Sequence, residues 1–77
     1  MTLNQLQKAV KAHGGHPAVL DLTMGASVAA HISNIRRRLA SQRKALAKTA
    51  EGTPERSIIA RNVDELNRTL TALGQLK

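Results

Sequence analysis

Val28, Ile32, Ile35, Leu39, Gln42, Leu46 and Thr49 follow one another at alternating intervals of four and three. That spacing is a heptad seam with two polar positions. It predicts a helix from Ala26 to about Ala50, roughly 35 Å long at about 1.5 Å per residue. Ile59, Val63, Leu66, Leu70 and Leu73 repeat the four-three pattern further on. Between the two runs, Glu51-Gly52-Thr53-Pro54 reads as a stop and a restart. Gly ends one helix, Thr caps the next, and Pro takes its first position. So short a link predicts an antiparallel helical hairpin spanning Ala26–Leu76.

Upstream the pattern is shorter. Thr2 with Gln5 three residues later reads as a capping box, and Leu3, Leu6 and Val10 follow at helical spacing. Gly14-Gly15 supplies a C-terminal stop, so a first helix is expected over about Leu3–His13. The piece from His16 to Gly25 carries two signals. Pro17 suits the start of a short helix, whereas Leu20, Leu22 and Met24 alternate with Asp21 and Thr23 as in a strand. The helical flanks favour helix, and either form buries Leu20 and Met24. The expected fold is all-α, one domain over residues 1–77, with a 1–25 N-terminal part and a 26–77 hairpin.

Composition changes this picture in one respect. The chain has 77 residues and no Phe, Tyr, Trp or Cys. Of its 32 apolar residues 12 are Ala, and so small an aliphatic core leaves a lone monomer marginal. A homodimer is therefore expected, with Val28, Ile32, Ile35, Leu39, Leu46, Ile59, Val63, Leu66, Leu70 and Leu73 as its core. The alternative is that the first helix and the His16–Gly25 segment cover the hairpin within one chain.

Charge points towards function. Twelve Lys and Arg against five Asp and Glu give a net +7, and no acid occurs between Leu22 and Ala50. Arg36, Arg37, Arg38, Arg43, Lys44 and Lys48 all lie in that stretch, on the helix face opposite Ile35, Leu39 and Leu46. A segregated basic surface is the footprint of a protein that meets phosphates or an acidic partner. The segment after Thr53 is nearly balanced.

Other chemistry is poorly provided for. Without Cys there is no thiolate metal site and no thiol nucleophile. His13 and His16 flank a flexible Gly-Gly, and with His31 they lack the further ligands a metal needs, so no metal and no cofactor are expected. The acids form no placed acid–base pair: Glu51 and Glu55 flank a loop, and Asp64 pairs with Arg68 one turn on. No phosphate loop is present. The chain is thus not expected to be an enzyme. No stretch is long and apolar enough to span a membrane, and the N-terminus lacks the apolar core of a secretory signal, so a cytoplasmic location is expected.

The segment Leu6-Gln7-Lys8-Ala9-Val10-Lys11-Ala12-His13-Gly14-Gly15-His16 resembles the opening of small phage Cro-type helix-turn-helix regulators. Met24-Gly25-Ala26-Ser27 is similar to their turn, and Ile32-Ser33-Asn34-Ile35-Arg36-Arg37 to the end of their recognition helix. The resemblance covers about Leu3–Arg38, with departures at Asp21 and His31. It implies a DNA-binding regulator in which Ser27, Ser33, Asn34 and Arg36 face bases or their backbone. The expectation is thus a basic helical protein binding DNA through Arg36, Arg37, Arg38, Arg43, Lys44, Lys48, Ser33 and Asn34. The rival is an adaptor or inhibitor that blocks an acidic protein partner with the same helical surface.

Overall fold

A computed structural model describes residues 1–76. It holds three α-helices, α1 (Leu3–Ala12), α2 (Val28–Lys48) and α3 (Pro54–Leu76). No strand occurs among the described residues. α2 and α3 form the expected hairpin, and α1 packs against α3 near its C-terminal end.

Local chemistry sets each boundary. The Thr2 hydroxyl accepts from the Gln5 amide while the Gln5 side chain accepts from the Thr2 amide, closing the capping box. Ser27 caps α2 through the Ala30 amide at 3.3 Å, so the helix starts two residues later than Ala26. Its last carbonyls, on Leu46 and Thr49, accept from one guanidinium nitrogen of Arg56 at 3.0 and 2.9 Å. The Leu46 carbonyl also accepts from the Thr49 amide at 3.3 Å. Arg56 reaches back across the hairpin turn to add a bond to each of the two carbonyls, which lie where the helical ladder runs out. Gly52 turns the chain with φ +80°, and Thr53 caps α3 through the Arg56 amide at 3.3 Å.

The His16–Gly25 segment forms neither an α-helix nor a strand. It makes two single 3-10 turns, Pro17–Val19 and Leu22–Met24. His16 Nδ1 accepts from the Ala18 amide at 3.2 Å, and Asp21 accepts from the Thr23 amide at 2.9 Å. Each side chain bonds the backbone two residues ahead, which offers a local alternative to the helical ladder. Leu20 is buried as expected, whereas Met24 is only half-buried and Leu22 is exposed.

The heptad seam is buried at one end only. Ile32, Ile35, Leu39, Leu66 and Leu73 join Leu6, Val10, Leu20 and Ala72 in one core. Val28, Leu46, Ile59, Val63 and Leu70 are half-buried, as are Gln42 and Thr49. Half of the residues expected to build a dimer core are thus buried within a single chain, because α1 and Leu20 supply a third layer. That layer stops partway along the hairpin. From Ala40 to Glu65 no residue is fully buried, and the far arm, towards Gly52, is only two helices thick. The molecule accordingly measures 41 × 20 × 19 Å.

Two polar side chains lie in the core. Thr69 donates its hydroxyl to the Glu65 carbonyl at 2.8 Å and accepts from the His16 amide at 3.3 Å. His31 is fully buried, with Nε2 2.8 Å from the Gly25 carbonyl. The carbonyl can only accept, so Nε2 carries the proton and Nδ1 is left as a buried lone pair without a partner.

Candidate nucleic-acid interface

α2 carries the basic residues, and its Ala, Leu, Arg and Lys content favours an unbroken helix. With about 100° between successive residues, Arg36 and Arg43 share one line along the helix. Arg37, Lys44 and Lys48 share a second line about 100° further round. Ser33, Ala40 and Ala47 lie between the two lines. All eight side chains are exposed. The outer face is therefore two cationic rows on either side of a lane of small residues.

Two residues expected on this face stand elsewhere. Arg38 is rotated about 100° from Arg37 towards the N-terminal layer, and its guanidinium donates to the Val19 carbonyl at 2.7 Å. It ties the first 3-10 turn to α2, although its side chain is still exposed. Asn34 lies on the same flank and is half-buried. Ser33 stays on the outer face, one turn from Arg37. Ser27 is occupied as the helix cap.

The outer cations have no carboxylate neighbours. Among the described residues the single ion pair is Arg68 to Asp64, 2.9 Å apart on α3, where the sequence spacing placed it. Asp21 is close enough to α2 to feel the Arg38 charge. Thr23 holds its carboxyl below the ordinary carboxylate value, first through the hydroxyl at 2.6 Å and then through the amide, with smaller help from the Arg38 charge.

The histidines are dispersed into structural roles or left on the surface. His16 caps a turn, His31 is held in the core, and His13 is exposed at the end of α1. No three His, Asp or Glu side chains come together among the described residues. No described helix is long and apolar enough to cross a membrane. Of the segments that resemble a helix-turn-helix, Leu6–Ala12 lies on α1, the stretch after Gly14-Gly15 holds the two 3-10 turns, and Ile32–Arg37 lies in the first half of α2.

No family model, curated protein or solved structure matches this chain.

Proposed function

We propose that this chain binds duplex DNA through the outer face of α2, in a regulatory role of the kind phage repressors play. The observation that carries this reading is the pair of exposed cationic rows, Arg36 with Arg43 and Arg37 with Lys44 and Lys48, none within ion-pairing distance of a described carboxylate. Cations left unpaired on a rigid helix are free to neutralise phosphates, and each contact releases condensed counterions. Ser33, between the rows, offers a hydroxyl to a phosphate or a base edge. The regulatory role rests on the Cro-type resemblance of residues 3–38, and DNA binding itself does not need it. Arg38, tethered to Val19, contributes charge but little reach.

A fluorescence titration of labelled random-sequence duplex at about 0.1 M salt, where screening acts over about 10 Å, tests the reading. Saturable binding that weakens as salt rises supports it. Absence of binding to duplex overturns it in favour of an acidic protein partner for the same face.

A further inference from the structure

A hollow of about 140 Å³ opens beside the far end of the N-terminal layer. Val19 and Leu66 give it apolar walls, and Arg38, Gln42, Asn62 and Glu65 rim it with polar ones. It approaches the roughly 150 Å³ of an apolar cavity that accepts benzene, so an aliphatic side chain fits. One turn along α3 from Asn62 stands Ile58, 60% exposed. Ile58, Asn62, Glu65 and Leu66 fall at i, i+4, i+7 and i+8, which is one strip of one helix. A knob and a hollow on the same strip form a self-complementary pair. A two-fold axis crossing α3 between them seats each Ile58 in the other copy's hollow.

We propose that two copies of this chain pair antiparallel along α3 through this exchange. Charge favours that face. A chain of net +7 meets its copy with least repulsion through α3, where Glu55, Asp64 and Glu65 offset Arg56, Arg61 and Arg68, and this keeps both cationic faces of α2 apart. The register that seats Ile58 also brings Arg61 within one turn of the partner's Glu65. Neither side chain has an ion-pair partner among the described residues of its own chain. The exchange covers the α3 side of the arm that α1 leaves bare, and so adds burial that a small aromatic-free chain lacks.

Sedimentation equilibrium of the full chain over the micromolar range tests the proposal. A reversible dimer is expected. Ile58→Asp should raise its dissociation constant at least about 100-fold, since both knobs are lost at once. Circular dichroism should show unchanged helicity, because Ile58 is mostly exposed and lies outside its own chain's core. Arg61→Glu and Glu65→Arg should each weaken the dimer about tenfold, and the double exchange should restore it. A wild-type chain that stays monomeric across the range, or a dimer that Ile58→Asp leaves intact, overturns the proposal.

Discussion

Gly15 lies so close to Thr69 that a Cβ built on it would stand 2.6 Å from the Thr69 hydroxyl oxygen and 2.9 Å from its Cα. The next amide, on His16, donates to that same hydroxyl at 3.3 Å. This contact docks the end of α1 and the first 3-10 turn onto α3, and with them the layer that buries Leu6 and Val10. Because part of the clash is with backbone, side-chain motion cannot relieve it. Gly15→Ala should therefore destabilise the fold by about 1–3 kcal/mol, as overpacking typically does. Thr69→Val keeps the shape and removes the acceptor, and should cost about 1 kcal/mol. Thermal unfolding reads both, at roughly 4–8 °C per kcal/mol for a domain this small. A Gly15→Ala chain as stable as wild type would mean that α1 is not docked this way.

Arg56 bonds the end of α2 from across the hairpin turn. Arg56→Ala removes a bond from each of the Leu46 and Thr49 carbonyls and should cost about 1–2 kcal/mol. Arg43→Gln, on the outer face, should stay within about 0.5 kcal/mol of wild type. Urea unfolding followed by circular dichroism compares the two. Equal stability would remove Arg56 from the turn.

Asp21 gives the N-terminal layer a pH dependence whose sign follows from its hydrogen bonds. Its folded pKa lies below the ordinary value of 3.8, chiefly because of the Thr23 hydroxyl. The stabilisation is therefore fully present above 3.8 and is lost as pH falls through the lower folded value. The Thr23 amide resonance should titrate below 3.8 in wild type and move towards it in Thr23→Val. Identical titrations in the two chains would contradict the assignment.

The hairpin could be read from the sequence because the packing of α2 on α3 is periodic, and the four-three spacing of Val28 to Thr49 states that period directly. The gradient along it could not. Leu39 and Leu46 occupy equivalent heptad positions, yet only Leu39 is fully buried, because α1 and Leu20 cover only one end. The turns after Gly15 were hidden for a different reason. His16 and Asp21 each bond an amide two residues on, and apolar spacing carries no record of such bonds. Thr69 looks like a surface residue in sequence, and its hydroxyl is buried only because Glu65 and His16 satisfy it. At the candidate site, sequence grouped Arg36, Arg37, Arg43, Lys44 and Lys48, and all five are exposed on α2. It grouped Arg38 with them because nothing local announces a bond to Val19, 19 residues away.

The salt dependence of duplex affinity in the variant Arg37→Gln/Lys44→Gln tests the nucleic-acid reading most directly. These two residues lie seven apart on one exposed line of α2 and have no described carboxylate partner, so their replacement should spare the fold. If both meet phosphates, the slope of log affinity against log salt should become shallower by about 1.8, at about 0.9 for each phosphate that is no longer neutralised. Affinity at low salt should fall with it. A variant that binds duplex with the wild-type slope and the wild-type affinity would contradict the assignment of this face to DNA.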